Sequence, residues 1–344
     1  MPDPSDLDAL LAAMPAPLDE AGLALAARRL VEACPSPPLP GAGDTLARWR
    51  LLAAVAAHDL PLVKLYEAHA DARAILAELG ARLGVSPPER DSPLMAVWAA
   101  RAPGQELRAS RDGRGDDGAA VRLTGTKAWC SGATCVDIAL VTCVDEAGRD
   151  RLAAVPMRQP GVTVSTRGWE ALGMRTTGSV EVDFADAAAT MVGPAEAYLR
   201  RPGFWHGGAG IAACWYGAAA ALATRLREAA ARRDDPHLQA HLGAADVALA
   251  ASRALLREAA QAIDADPRTD AMALALRTRA AAEQAAEAVL RAALRGLGAA
   301  PLCRDRWFAR MAADLPVFVR QSHAERDLAA LGTALAKAPG DWRL

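Results

Sequence analysis

The feature that most constrains the fold is a change of sequence pattern along the chain. Two long stretches rich in Ala and Leu flank a middle region, from about residue 92 to 190, in which short β-branched runs such as SVEVDF alternate with glycine-containing turns. In the flanks, apolar residues recur at three and four positions, the spacing of one helix face. The middle region reads as strands joined by turns. The pattern therefore predicts a mainly α protein with a central β-domain.

The same pattern divides the chain into three domains. We expect an N-terminal helical domain over 1–91, an antiparallel β-barrel or sandwich over 92–195, and a C-terminal four-helix bundle over 196–344. In the first domain Pro61 should break the second helical stretch, since proline cannot donate a helical hydrogen bond. The bundle helices are connected by short segments, which favours antiparallel neighbours. Their expected ranges are 208–233, 238–264, 268–298 and 306–337.

Composition argues against nucleic acid and metal ions as partners. The formal net charge is −2, and the Arg residues are scattered among Asp and Glu, so no basic stripe is available for nucleic acid. The six cysteines form no C-x-x-C pair and have no His partner at zinc spacing. His237 and His241 lie four residues apart, but no H-E-x-x-H pattern accompanies them, so exposed histidines are expected there rather than metal ligands.

One uncharged stretch, 207–224, could be mistaken for a membrane span. It is rich in Gly and Ala rather than Leu and Ile, and it runs directly into the charged segment TRLREAAARRDD. A buried bundle helix is the better interpretation, and no membrane contact is expected. The acidic N-terminus has no signal-peptide features, and the cysteines show no disulfide spacing, so we expect a reduced, cytoplasmic protein.

Two motifs in the β-domain indicate a family. The first is the segment KAWCSGA, which contains Lys127, Trp129, Cys130 and Ser131; the second is ALGMRTTGSVEVDF, which begins some forty residues later. With the order of helices, β-domain and bundle, these segments resemble those of the acyl-CoA dehydrogenase family over most of the chain. The resemblance implies that family's fold and a flavin-dependent oxidoreductase.

In that family the Trp of the first motif and the Thr or Ser that follows it lie against the flavin of FAD. Carried over, the resemblance implies that Trp129 shields the edge of the isoalloxazine ring and that Ser131 donates a hydrogen bond to its N5 atom. A strand end that offers a flat apolar wall and a nearby hydroxyl suits this role. The competing interpretation makes Trp129 an aromatic of the barrel core and Ser131 a turn residue.

The resemblance also implies contacts to the FAD pyrophosphate, made across a subunit interface. Arg232 or Arg233 falls where relatives carry an Arg early in the second bundle helix, although the usual Phe-Gly is replaced by DDPH. Gly296 and Gly298 correspond to a glycine-rich turn after the third bundle helix. Helix capping explains the arginine and both glycines equally well. Members of this family associate through the bundle, so a homodimer or homotetramer is expected.

The chain departs from the family where the catalytic base should be. Relatives use a Glu at one of two positions to remove the α-proton of an acyl thioester. The first position carries Ser322, followed by His323; the second, on the first bundle helix, falls near Gly207 and Gly208, just after His206. An imidazole is able to act as a base at neutral pH, and Glu325 or Asp327 would orient it. Alternatively, His323 belongs to an ordinary charged helix surface. The family's Thr-Glu-Pro segment is also missing, replaced by VWAARAPGQELRA.

Three functions stay open at this point. The first is FAD-dependent α,β-dehydrogenation of an acyl thioester, bound to CoA or to a carrier protein, with an unconventional base and with an electron-acceptor flavoprotein or oxygen as the oxidant. The second is a flavin-dependent monooxygenase on the same scaffold, supplied with reduced flavin. The third is a catalytically degenerate member that only binds.

Overall fold

The computed structural model describes residues 4–80, 92–112, 119–337 and 342. The chain is mainly helical, with a small β-barrel between an N-terminal group of helices and a C-terminal bundle, as predicted from the sequence pattern. The second helical stretch of the sequence, over 44–84, is helical in the described part as far as Glu78, and its residues 81–84 lie outside the described ranges.

Four helices precede the barrel: α1 (Pro4–Ala12), α2 (Glu20–Ala33), α3 (Thr45–His58) and α4 (Leu60–Glu78). The break expected near Pro61 occurs at Asp59, and the proline lies in the first turn of α4, where its missing N–H costs nothing. The Asp59 carboxylate caps α4 by accepting from the Leu62 N–H at 2.9 Å. It also accepts from the Leu18 N–H at 3.1 Å, which ties the start of α4 to the chain before α2.

Seven strands form the barrel: β1 (Met95–Trp98), β2 (Arg108–Arg111), β3 (Ala120–Cys130), β4 (Ile138–Asp145), β5 (Asp150–Pro156), β6 (Val162–Val164) and β7 (Val180–Met191). The pairings β4–β2, β2–β3, β3–β7, β7–β5 and β5–β4 close a ring, so its strands have no free edge around the circuit. Most pairs are antiparallel, as expected, but β1 and β2 both run parallel to β4.

A short helix α5 (Ala197–Arg200) leads into three long antiparallel helices, α6 (Gly203–Ala230), α7 (Pro236–Ala265) and α8 (Met272–Leu297). The apolar stretch of α6 is buried among neighbouring helices: Cys214, Trp215 and Ala218 have no exposed surface. A Cβ on Gly217 would lie 2.2 Å from the backbone oxygen of Ala53, so α6 and α3 pack so closely here that only glycine fits between them. No helix among the described residues is both long and apolar enough to cross a membrane.

The fourth bundle helix differs from the prediction. After α9 (Ala300–Arg304), the expected continuous helix over 306–337 is divided into α10 (Arg306–Phe318) and α11 (Glu325–Lys337), joined by a 3-10 turn at Val319–Gln321 and a short extended segment. Pro316 lies inside α10 and removes one helical donor. Ala324 adopts a positive φ of 46°, which ends helical geometry before α11 begins. The break carries Ser322 and His323.

Candidate flavin site

A cavity of about 1000 Å³ lies where α4, the barrel and the C-terminal helices meet. Its wall brings together segments that are far apart in sequence: α4, the end of β1, the end of β3, the loop before β7, the starts of α6 and α8, and the break between α10 and α11. Of the residues singled out in the sequence, Trp129, Ser131 and His323 line it. The other residues that enter the argument are Lys64, Glu67, Asp71, Arg101, Met174, Thr177, Ser179, Arg201, Arg279, Arg320, Arg326 and Asp327.

Trp129 stands at a distortion of β3. The register of β3 against β7 shifts between Lys127 and Cys130, and within that bulge Trp129 adopts a φ of 55°. A bulky residue in this left-handed region is strained, at a cost of about 1–3 kcal/mol. The indole is 46% exposed although the surrounding strand is buried. The bulge therefore turns a large flat side chain out of the barrel and into the cavity, which is unlike a core aromatic.

Ser131 begins a row of hydroxyl groups with a defined direction. Its Oγ lies 2.7 Å from Ser179 Oγ, which lies 2.7 Å from Thr177 Oγ1. Thr177 in turn donates to the Met174 carbonyl at 2.7 Å. Each hydroxyl has one hydrogen and a carbonyl only accepts, so Thr177 donates to Met174, Ser179 to Thr177, and Ser131 to Ser179. The hydrogen of Ser131 is thus used inside the protein, and its lone pairs remain for a ligand. The donation from Ser131 to the flavin that the resemblance implies stays a prediction, and it would require this row to reverse.

The second motif is held in place by α10. The Asp314 carboxylate accepts from the Met174 N–H at 2.5 Å and from Arg310 Nε at 2.8 Å. Burial raises the pKa of Asp314 to about 6. A Cβ on Gly173 would lie 2.2 Å from the Ala313 backbone oxygen, so the Leu-Gly-Met turn needs glycine to approach α10. This contact fixes Met174, whose carbonyl ends the hydroxyl row.

His323 projects into the cavity from the break after α10. Its Nδ1 lies 3.3 Å from the Asp327 carboxylate, and its backbone N–H donates to the same carboxylate at 3.0 Å. The side chain is 58% exposed, whereas that of Asp327 is 20% exposed. Ser322 is buried and accepts from the Ala324 N–H at 3.1 Å, so it shapes the turn instead of lining the cavity. Of the two predicted catalytic residues, only His323 reaches the site.

Cationic side chains outnumber carboxylates in the cavity wall. Most of them are neutralised: Lys64 pairs with Glu67, and Arg201 donates to Glu78 at 2.6 Å. Burial raises the pKa of Glu67. The buried Arg279 differs, because its guanidinium donates only to two backbone carbonyls. Sequence reasoning missed it, since an Arg within the Ala-rich α8 looks like any surface helix residue and only its burial reveals it.

Three predicted cofactor residues lie elsewhere in the chain. The starts of α6 and α8 contribute to the cavity, whereas Arg232 follows the C-terminal end of α6, and Gly296 and Gly298 are at the C-terminal end of α8. At a rise of 1.5 Å per residue these positions are about 25–30 Å from the cavity along the helices. A Cβ on Gly296 would lie 2.7 Å from Leu226 Cδ1, so this glycine packs helices together. Gly298 has a φ of 70° and ends α8.

Sequence profiles of one protein family match most of these elements. The profile described as "Acyl-CoA dehydrogenase, middle domain" matches residues 100–187, and "Acyl-CoA dehydrogenase, C-terminal domain" matches 196–319, together more than half of the chain. The chain belongs to the acyl-CoA dehydrogenase family. This membership makes it a flavin-dependent oxidoreductase. No curated protein sequence matches it significantly.

Several solved structures share the fold at low identity. FMN-bound TdsC from Paenibacillus sp. A11-2 superimposes with a TM-score of 0.77 at 16% identity, covering 96% of this chain and 94% of that one. Butyryl-CoA dehydrogenase from Megasphaera elsdenii gives 0.72 at 19%, covering 86% and 83%. Methanesulfinate monooxygenase MsuC from Pseudomonas fluorescens gives 0.72 at 19%, covering 99% of both chains.

The cavity suits the flavin that this family uses. Its volume is at the upper end of the range of roughly 300–1000 Å³ that is usual for ligand pockets. The strained indole of Trp129 offers a flat wall, and the lone pairs of Ser131 offer a polar contact at the margin of that wall. Among the residues that the structure describes, no group of His, Cys, Asp and Glu is arranged to hold a metal ion.

Proposed function

We propose that this protein is a flavin-dependent monooxygenase built on the acyl-CoA dehydrogenase fold. It receives a reduced flavin and molecular oxygen together with an organic substrate. One oxygen atom enters the substrate and the other leaves as water, while the reduced flavin supplies two electrons and two protons. The chain's own residues bind and orient these reactants, and the His323 and Asp327 pair holds or moves a proton at the imidazole.

The direction of the hydroxyl row carries this proposal. Ser131 presents lone pairs, because its hydrogen is held by Ser179 in a row that ends on the Met174 carbonyl. In a reduced flavin N5 bears a hydrogen and donates, whereas N5 of an oxidised flavin only accepts. Reversing the row would sacrifice one hydrogen bond, at a cost of about 1 kcal/mol. Ser131 therefore favours a reduced flavin over an oxidised one.

The carboxylates of the cavity support the same proposal. Dehydrogenation of a thioester needs a carboxylate or another free base beside the α-carbon. Glu67 is paired with Lys64, Asp71 lies 3.4 Å from Arg48, and Asp327 lies against His323. No carboxylate of the described cavity wall is left unpaired for that task. Monooxygenases are also among the proteins that share the fold, including TdsC and MsuC.

The cofactor is proposed to bind with its ring between Trp129 and Ser131. FMN would be held by one chain. FAD, the cofactor that the motifs imply, would need a second chain to bring Arg232, Gly296 and Gly298 to its pyrophosphate, since they are remote from the cavity of their own chain. To distinguish the two cofactors, the affinities for FMN and FAD are measured together with the molar mass of the protein in solution. A higher affinity for FAD, accompanied by dimerisation, would favour FAD as the cofactor.

Dehydrogenation of an acyl thioester is the second candidate, and the His323 position favours it. The imidazole follows directly after the position of the family's Glu, and its Nδ1 contacts Asp327, an arrangement that leaves Nε2 to accept a proton. In this reaction the base takes the α-proton and the oxidised flavin takes the β-hydride. The electrons then pass to a flavoprotein acceptor or to oxygen.

One pair of measurements separates the candidates. The protein is loaded with oxidised flavin and titrated without oxygen with saturated acyl-CoA thioesters of several chain lengths; bleaching of the flavin absorbance would reject the monooxygenase. In the second measurement, photoreduced flavin and protein are mixed with oxygen in a stopped-flow instrument. We expect no bleaching in the first, and in the second a reoxidation time course that differs from that of free flavin. A protein that binds neither flavin form would be a degenerate family member.

A further inference from the structure

Arg279 is a buried cation in the cavity wall. The residue is 8% exposed, and the centre of the Trp215 ring lies 4.9 Å from the guanidinium carbon. One Nη donates to the Gly208 carbonyl at 2.8 Å and the other to the Gln321 carbonyl at 2.7 Å. A guanidinium has five N–H groups, so three remain without an acceptor among the described residues.

Arg279 also forms no direct ion pair with a carboxylate among the described residues. Three carboxylates are near enough to act on it electrostatically, and each already pairs with another side chain. These pairs are Glu67 with Lys64, Glu283 with Arg320, and Asp327 with the Nδ1 of His323. Burying a charge without a counter-charge is costly, whereas an anion brought to it in a closed cavity gains a strong, charge-assisted hydrogen bond.

We propose that Arg279 recognises an anionic group of the substrate, and that this substrate is a small organic oxyanion such as a carboxylate or a sulfinate. The planar fork of a guanidinium matches two oxygens of such a group. This inference depends on the proposed function only in naming the bound anion as the substrate of oxygenation.

The position of Arg279 favours the substrate over the phosphate of the flavin as the source of the anion. The carbonyl of Gln321 that it holds is two residues before His323, the proposed proton carrier. An anion on Arg279 would thus lie beside the reacting groups. The flavin phosphate is at the far end of the ribityl chain, away from the ring that reacts.

The test uses flavin-loaded protein and calorimetric titration with three probes: butyrate, methanesulfinate and the neutral butyramide. We expect both anions to bind at least tenfold more tightly than butyramide. Arg279→Gln keeps an amide for the backbone carbonyls but removes the charge, and it should lower the affinity for the anions about tenfold or more. Arg279→Lys retains the charge and should retain the preference for anions.

The matched control is Arg277→Gln, which removes the same charge two residues away on the exposed side of α8 and should leave anion affinity within about twofold. Equal binding of butyrate and butyramide by the unaltered protein would overturn the inference, even if the variants do not fold. So would a loss of the preference for FMN over riboflavin in Arg279→Gln, because Arg279 would then hold the flavin phosphate. Bleaching of the flavin absorbance by acyl-CoA would reject only the proposed monooxygenase function, regardless of how the anions bind.

Discussion

At the end of the bundle that faces the barrel, α6 and α8 bury a guanidinium, a histidine and the wall of a cavity. About 25–30 Å along α8, Gly296 packs against Leu226 of α6 and against Leu238 and His241 of α7. Arg279 belongs to the first end and Gly296 to the second. Close packing stabilises the far end of these helices, whereas burying charged groups at the cavity end costs free energy. This division is expected of a scaffold that carries a functional site.

The largest effect expected at the cavity end comes from His323. Changing it to Gln removes the proton-carrying imidazole while leaving a polar side chain of similar length. Turnover should fall by about 10²–10⁴-fold, the usual contribution of a positioned acid or base, with flavin affinity unchanged. The reaction is followed as substrate-dependent oxygen uptake, with the exposed His237→Gln as the control. Unchanged turnover in His323→Gln would remove this residue from the mechanism.

Next in size is a pH effect from His69, a buried residue of α4, the helix that carries Glu67 into the cavity wall. Burial lowers the pKa of His69 to about 4, and its Nδ1 accepts from the Met95 N–H at 3.2 Å. The folded pKa is below the unfolded value near 6.5, so the unfolded chain takes up the proton first as the pH falls. About 3 kcal/mol of stability should be lost between pH 6.5 and 4.

Urea unfolding at pH 7.5 and at pH 4.5 measures the effect. His69→Asn places an oxygen near the position of Nδ1 but does not titrate, so its stability should fall less between these two pH values than that of the unaltered protein. Because each protein is compared with itself at the two pH values, a constant cost of the substitution cancels. Equal pH dependence of the two proteins would contradict the buried, neutral imidazole.

At the far end, Gly296→Val tests whether packing alone explains the glycine. The added methyl groups would meet Leu226 and Leu238, whose Cδ1 atoms are 2.7 and 3.0 Å from a Cβ at this position. Overpacking should reduce the free energy of unfolding by about 1–3 kcal/mol and leave flavin affinity intact. Gly243→Ala on α7 has open space around its Cβ and should be neutral or slightly stabilising. Loss of flavin without loss of stability in Gly296→Val would support the predicted cofactor contact instead.

The smallest effect concerns the hydroxyl row. Thr177→Val removes the donor to the Met174 carbonyl, so the row is no longer directed and Ser131 becomes able to donate. The preference for reduced flavin should weaken by up to about fivefold, which lowers the reduction potential of the bound flavin by roughly 20 mV. Spectroelectrochemical titration measures this potential. Thr224→Val removes a similar hydroxyl-to-carbonyl bond within α6, away from the cavity, and should not shift the potential.

The sequence predicted the order of helices, barrel and bundle correctly because periodic apolar spacing is a local property. It also singled out Trp129, Ser131 and His323, which the structure brings to one cavity. Two features were not predictable from the sequence. The break between α10 and α11 occurs within a sequence whose pattern is helical throughout, apart from one proline. The parallel pairing of β1 and β2 with β4 depends on which strands meet when the barrel closes.

By itself, the sequence determined where helices and strands form and which motif carries an indole and a hydroxyl, since spacing and side-chain type are written along the chain. Only the tertiary structure decided in which direction the hydroxyl of Ser131 donates. It also decided that Arg279 is a buried cation without a direct ion pair. Both depend on hydrogen bonds to groups that are remote in sequence, the Met174 carbonyl and the Gln321 carbonyl. Such groups come into contact only in the folded chain, where the exclusion of water strengthens their hydrogen bonds.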